Sequence, residues 1–205
     1  MQKLSTFLLI STFTFLIVSC KNEAKTEKME NANVEVAEKA VVKRAEKRDL
    51  TAADIEEINS VMSRVMTTPE LKKYASYIVT AKLADMLSTG KGSYTVFAPS
   101  NAAIESLTVK QKKFYATPEN IAKLEEMVKS HIVEGTMDKE NLLKAIDKNG
   151  KVKLKTLGGI TLTASRAGDN ISISDAKGGK VSIVKEDILG SNGVVFVVDG
   201  VMNAN

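Results

Sequence analysis

One cysteine, one histidine and no tryptophan narrow what this 205-residue chain can do. The only thiol is Cys20, so the chain beyond it cannot form an intrachain disulfide and has to be held by packing. His131 is the only imidazole, which excludes a multi-histidine metal site and any scheme that needs a second histidine. Without indoles and with few aromatics, a carbohydrate platform of exposed stacking rings is disfavoured. The 29 basic and 25 acidic residues are interspersed, and no basic cluster alternates with aromatics. The net charge of +4 therefore does not indicate a nucleic-acid surface. No glycine loop of phosphate-binding spacing and no Ca²⁺ loop is present, so neither a cofactor nor a metal is expected.

Catalytic patterns are equally thin. Glu56-Glu57, Glu125-Glu126 and Glu186-Asp187 are adjacent pairs whose side chains diverge on a helix or strand, so they offer no convergent acid and base. Ser174-Asp175-Ala176-Lys177 has the spacing of a Ser-x-x-Lys nucleophile, but Gly178-Gly179 turns it into a hairpin instead of a helix start. The chain reads as a non-enzyme.

Charge and hydropathy divide the chain into three parts. Lys3 precedes an apolar run from Leu4 to Val18 that is too short and too early for a spanning helix. It closes in Leu16-Ile17-Val18-Ser19-Cys20, the pattern of a bacterial lipobox: aliphatic residue, small residue, then the thiol that accepts a diacylglycerol. The alternative is an ordinary secretory signal with an incidental cysteine. A lone thiol at this boundary favours lipidation of Cys20. Residues 1–19 are thus a lipoprotein signal peptide. Residues 20–48, rich in Lys, Glu, Ala and Asn, form a charged tether that cannot bury enough apolar area to fold alone. As a flexible coil it would span on the order of 30 Å. Residues 49–205 form one domain, large enough to bury roughly 70% of its unfolded surface.

Within the domain, helical spacing comes first. Ile55, Ile58, Val61, Met62 and Val65 form one stripe, and Leu71, Tyr74, Ala75, Ile78 and Val79 a second. Leu83, Met86 and Leu87 follow. Thr68-Pro69 and Thr117-Pro118 each read as a cap with proline at the first helical position. A further short helix over Asn141–Ile146 ends at Asn149-Gly150. The period then changes to two, with Val152 and Leu154, Ile160 and Leu162, Ile171 and Ile173, and Val181 and Ile183, separated by glycine turns. The fold class is α+β: a compact antiparallel β wedge packed against a layer of several α-helices.

Two segments are more specific. Tyr94-Thr95-Val96-Phe97-Ala98-Pro99 reads as a strand stopped by proline, with Ser100 or Asn101 capping the helix that carries Ile104 and Leu107. In Gly193-Val194-Val195-Phe196-Val197-Val198, alternation sends Val195 and Val197 to one face and Val194, Phe196 and Val198 to the other. Both faces are apolar, as in an interior strand. With His131-Ile132-Val133-Glu134-Gly135 between them, these segments resemble the signatures of fasciclin-like (FAS1) domains, from about Asp49 to Asn205.

The resemblance implies the same helix-and-wedge fold and an adhesive role. It also points to two places implicated in adhesion by animal members: a Tyr-His pair, here Ser130-His131, and an Asp-Ile motif matched by Asp187-Ile188. The purely structural alternatives are a partly buried His131 bonded to backbone, and Asp187 capping a turn with Ile188 packed beneath it. Where the family usually has a histidine in the second signature, this chain has Phe196.

Together these readings give a non-enzymatic lipoprotein that mediates adhesion or matrix interaction. It is exported and lipid-anchored through Cys20 to the bacterial cell envelope, on the periplasmic or surface face of the outer membrane. Its partner is a surface protein or polysaccharide, not nucleic acid. The competing reading is an envelope binding protein for a lipid or glycan ligand; an envelope hydrolase ranks third. Intact-mass analysis of detergent-extracted protein should find diacylglycerol on Cys20, and Cys20→Ala should release the protein from membranes. An unmodified N-terminus beyond residue 20 would overturn the assignment.

Overall fold

A computed structural model of the chain describes residues 49–89, 91–168 and 170–204. Cys20, the expected signal segment 1–19 and the expected tether 20–48 lie outside the described residues. The helical half contains α1 (Ala52–Ile58), α2 (Val61–Thr67), α3 (Lys72–Thr80) and α4 (Ala84–Ser88). Strand β1 (Tyr94–Pro99) follows, then α5 (Asn101–Glu105), α6 (Val109–Ala116), α7 (Ile121–Lys129), β2 (Ile132–Glu134) and α8 (Lys139–Asn149). The remaining strands are β3 (Lys151–Lys155), β4 (Thr161–Ala167), β5 (Asn170–Ser174), β6 (Lys180–Gly190) and β7 (Gly193–Val198).

Local chemistry accounts for most boundaries. Thr51 and Asp54 form a capping box on α1, and Thr108 and Gln111 form another on α6. The single apolar stripe expected from Ile55 to Val65 is divided, because Ser60 caps a new helix through the Ser63 N–H. Ile55 and Ile58 are left exposed while Val61, Met62 and Val65 are buried. Pro69 and Pro118 each open a one-turn 3-10 helix, as their fixed φ allows. The threonines before them do not cap it. Thr68 and Thr117 donate backward instead, to the Arg64 and Lys113 carbonyls at 2.7 Å each, and so finish the preceding helices. Ser100 caps α5 through the Ala103 N–H, which frees Asn101 to bridge the Pro69 carbonyl and the Lys73 N–H, both at 2.9 Å.

The seven strands form one sheet in the order β2-β1-β7-β6-β5-β4-β3. The α+β class stands, with one correction to the wedge. β1 and β7 pair in parallel, in register from Tyr94↔Gly193 to Pro99↔Val198, so the sheet is mixed. The other pairings are antiparallel. Hairpin turns mark antiparallel neighbours in the sequence. No local signal marks a parallel pair, whose connection runs through most of the domain. The sheet curls until Val133 bridges Thr156 and the Leu157 N–H reaches the Ile132 carbonyl at 2.8 Å, bringing the two edge strands together.

β1 and β7 are buried along their whole length. On one face Val96, Ala98, Val195 and Val197 join the core made by the helices α2 to α7. On the other, Phe97, Val194, Phe196 and Val198 join a second core, formed by α8 and the inner faces of β3 to β6. The alternation expected for β7 is realised on both sides. Phe97 and Phe196 stack with centroids 5.5 Å apart and planes inclined by 15°.

Gly193 opens β7 at φ 153°, where an added Cβ would lie 1.9 Å from the Tyr94 carbonyl oxygen. Only glycine allows the two strands to meet there. Its neighbour Asn192 accepts from the Val61 N–H at 2.8 Å and donates to the Leu87 carbonyl at 3.0 Å, tying α2 and α4 to the strand pair. Truncating Phe97 or Phe196 to Ala should cost about 3–5 kcal/mol in urea melts, a large fraction of a domain's stability, while removing Lys21 to Arg48 should cost almost nothing. Equal losses in the two classes would contradict this arrangement.

Candidate functional site

The family-motif residues lie at the junction between α7 and β2. Leu124, Met127 and Val128 bury the inner face of α7, and the helix ends where its last carbonyls need partners. The Ser130 hydroxyl donates to the Glu126 carbonyl at 2.8 Å. His131 Nδ1 lies 2.9 Å from the Met127 carbonyl oxygen, and its Nε2 accepts from the Met202 N–H at 3.0 Å. Those two bonds require the neutral imidazole with its proton on Nδ1. Ser130 and His131 are wholly buried, and the Tyr74 ring lies tilted against the imidazole with centroids 5.9 Å apart.

The network continues into the C-terminal segment. Asn203 adopts φ 51° and donates to the Ser130 hydroxyl at 3.0 Å. It accepts from the Lys177 ammonium at 2.7 Å, and its N–H reaches Asp175 Oδ2 at 3.2 Å. Asp175 Oδ1 accepts from the Lys177 and Gly179 N–H groups, closing the β5–β6 turn. The Ser-x-x-Lys spacing is therefore a hairpin, as expected, and the Ser174 hydroxyl donates to the Thr163 carbonyl at 3.4 Å. The arrangement is a clamp. It joins the end of α7, the β5–β6 hairpin and residues 202–203, and His131 within it has no surface for a partner. Sequence reasoning found His131 but not Asp175, Met202 or Asn203. The positive φ of Asn203 had no local signature, although asparagine is among the residues that tolerate it.

Asp187 and Ile188 lie on a bulged stretch of β6, where register with β7 shifts between Lys185 and Ile188. Asp187 has φ 49° and is exposed, and its Oδ1 accepts from the Lys139 N–H at 2.9 Å. Lys139 is the first residue of α8, already capped by Asp138 through the Asn141 N–H. Two carboxylates thus meet the positive end of the helix. Glu186 pairs with the Lys139 ammonium. Ile188 is half-buried against the helical core. Asp187 caps and Ile188 packs, so both do structural work, and His131 stands apart from them in the clamp.

Two further surface features lie on the sheet. β6 presents Val184 and Leu189 outward, 59% and 60% exposed, beside α2, whose Arg64 donates to the Leu189 carbonyl at 2.8 Å. A cleft of about 740 Å³ opens between β2 and the free edge of β3, lined by Glu134, Met137, Lys153 and Lys155 among others. Among the described residues, no cluster of three or more His, Cys, Asp or Glu side chains is placed to hold a metal ion. No described helix is long and apolar enough to cross a membrane.

The Fasciclin domain family model matches residues 69–204. The chain belongs to the fasciclin domain family. Transforming growth factor-beta-induced protein ig-h3 of Sus scrofa is 29% identical over 146 residues, spanning 69% of this chain but 20% of that protein. Protein sll1483 of Synechocystis is 26% identical over 146 residues, spanning 70% of this chain and 74% of its own length. A solved FAS1 domain pair from the insect cell adhesion molecule fasciclin I superposes with a TM-score of 0.55 at 17% identity, over 70% of this chain and 50% of that one. That likeness shows the fasciclin fold. Helices α1 and α2 precede the matched region, yet α2 contributes Val61, Met62 and Val65 to the helical core of this fasciclin domain.

The clamp generates a pH prediction. Burial lowers the His131 pKa from 6.5 to about 4, against smaller raising effects of the Met127 carbonyl and Asp175. Between those values the unfolded chain takes up a proton that the folded chain refuses. The stability from neutral His131 is complete above about pH 6.5 and is lost as pH falls towards 4, by about 3 kcal/mol. Urea melts of the wild type should show this slope, and melts of His131→Gln should flatten it. An unchanged slope in the variant would place the titration elsewhere.

Proposed function

We propose that this fasciclin domain is a non-catalytic adhesion module of the bacterial cell envelope, anchored by lipid on Cys20 and presented to matrix or a neighbouring surface. The observation that carries the reading is the division of labour between interior and surface. The only imidazole is spent on two backbone groups in the core, while β6 offers Val184 and Leu189 to solvent at 59% and 60% exposure. Exposed aliphatic side chains flanked by charged Lys185 and Asp187 suit a contact surface, where an apolar anchor supplies area and the charged rim supplies orientation. The fold shared with a cell adhesion molecule supports the same direction. The binding-protein alternative rests on the cleft between β2 and β3.

Adhesion of cells displaying the full-length lipoprotein tests the reading, together with protease shaving to establish which face it occupies. Val184→Ser with Leu189→Ser should reduce attachment to matrix severalfold at an unchanged melting temperature. Asp187→Ala with Ile188→Ser should lower attachment only as far as it lowers the melt, because that pair holds α8 and the core. Undiminished attachment in the first variant, or protection of the domain inside intact cells, would overturn the adhesive role.

A further inference from the structure

The outer face of β3 to β6 is built from lysines and small hydroxyl residues. The register aligns Lys153, Thr163, Ser174 and Lys180 in one row across four strands. The next row is Lys151, Ser165, Ser172 and Ser182, and Lys155 stands opposite Thr161 in a third. The alternate residues, Leu154, Leu162, Ala164, Ile173 and Val181, point inward to the second core. One face of this sheet is therefore a floor of small hydroxyl side chains with lysines at its two sides. Its four lysines are all exposed.

Among the described residues, these lysines are free of carboxylate partners, as Lys72, Lys91, Lys110 and Lys113 also are, and what distinguishes them is their alignment beside rows of hydroxyls. Lys73, Lys123, Lys129, Lys139, Lys144 and Lys185 each meet a carboxylate. Among the described residues, Lys151, Lys153, Lys155 and Lys180 form no ion pair. The nearby acids are accounted for. Asp175 spends both oxygens on backbone N–H groups of its turn and of Asn203. Asp199 accepts the Ser182 N–H at 2.7 Å at the end of the second row. Glu134 lies across the adjoining cleft of about 740 Å³, which Lys153 and Lys155 also line.

We propose that this face and its cleft bind an acidic polysaccharide. The lysines of β3 stand about 7 Å apart along the strand, and Lys180 lies about 14 Å across the sheet from Lys153, so they form a spaced set of point cations. An extended polyanion satisfies such a set along its length. The hydroxyls between them both donate and accept, which matches sugar hydroxyls; a phosphodiester backbone offers mostly acceptors. No residue of the three rows is aromatic, so the face has no stacking platform for unpaired bases or neutral sugar rings. Ser172 is itself too buried to touch a ligand. Thr161, Thr163, Ser165, Ser174 and Ser182 supply the accessible hydroxyls. Glu134 provides an acceptor for sugar hydroxyls on the far wall of the cleft.

The assignment rests on the reading of the domain as a surface-binding module and names a partner chemistry for it. Full-length lipoprotein in detergent is measured against immobilised polygalacturonate, dextran sulfate, neutral dextran, single-stranded DNA and phosphatidylglycerol vesicles. Binding to the carboxylated or the sulfated polymer, and not to dextran, is expected, and the stronger of the two identifies the acid group. Affinity should fall at least about tenfold between about 50 and about 200 mM salt as counterions are released. Replacing Lys151, Lys153, Lys155 and Lys180 together by Ser should lower affinity about tenfold or more without moving the melting temperature. A control with Lys72, Lys91, Lys110 and Lys113 replaced by Ser, equal in net charge, should stay within about twofold. Equal losses in the two variants, tighter binding to DNA or vesicles than to both acidic polymers, or no binding to either polymer would overturn the proposal. Cell adhesion is scored in parallel. Absent polymer binding with adhesion intact overturns this assignment alone, and polymer binding without adhesion overturns the adhesive reading alone.

Discussion

Parallel pairing of β1 with β7 is the contact from which the rest of the domain is built. Both strands are buried on both faces, so each becomes stable only when the helical layer and the strand-rich half are present together. Val195 and Val197 press on one core while Phe196 stacks with Phe97 in the other. The pair closes because Gly193 admits the Tyr94 carbonyl where any Cβ would collide. Asn192 beside it satisfies groups at the ends of α2 and α4 and couples the helices to the same point. A domain divided into two cores by one strand pair transmits damage in either core to the other.

The clamp around Ser130 and His131 does at the other end of the domain what Gly193 and Asn192 do at the start of β7. It uses side chains to satisfy the end of α7 and to hold residues 202–203, alongside the packing of Met202 in the second core. A serine in place of a tyrosine at position 130 fits this role. Its small hydroxyl accepts from Asn203 and donates to Glu126, and Gly158 approaches so closely that an added Cβ would lie 2.8 Å from the same oxygen. Burying a neutral histidine makes that joint sensitive to acid. As pH falls, the joint that fastens the C-terminal segment therefore loses the stability that neutral His131 supplies.

The family-motif residues of this domain make specific contacts within the chain. His131, Asp187 and Ile188 bind the chain to itself, through backbone acceptors, a helix N-terminus and a core contact. The surfaces proposed for a partner are built from unremarkable residues: two aliphatic side chains on β6, and lysines alternating with Leu and Val along β3. A relative with the same signatures can thus present different surfaces, since the signatures constrain the interior. Both proposed binding surfaces use outward-facing positions of the strands.

The sequence by itself determined the local elements and their inward faces. Period-two and helical spacing, proline and glycine punctuation, and the alternation of Val194 to Val198 were enough to assign the α+β class and both signature strands, because burial is written into side-chain periodicity. The break at Ser60, the backward bonds of Thr68 and Thr117, and the full extent of α8 were less legible, since capping residues serve either neighbour equally well. Tertiary structure alone decided the parallel direction of β1 and β7, the curling that brings β2 to β3, and the meeting of Ser130, Asp175 and Asn203. It also aligned lysines and hydroxyls from four strands into rows. Each strand carried only its own alternation, and the register that turns four alternations into one surface is a property of the paired backbone, which no single segment contains.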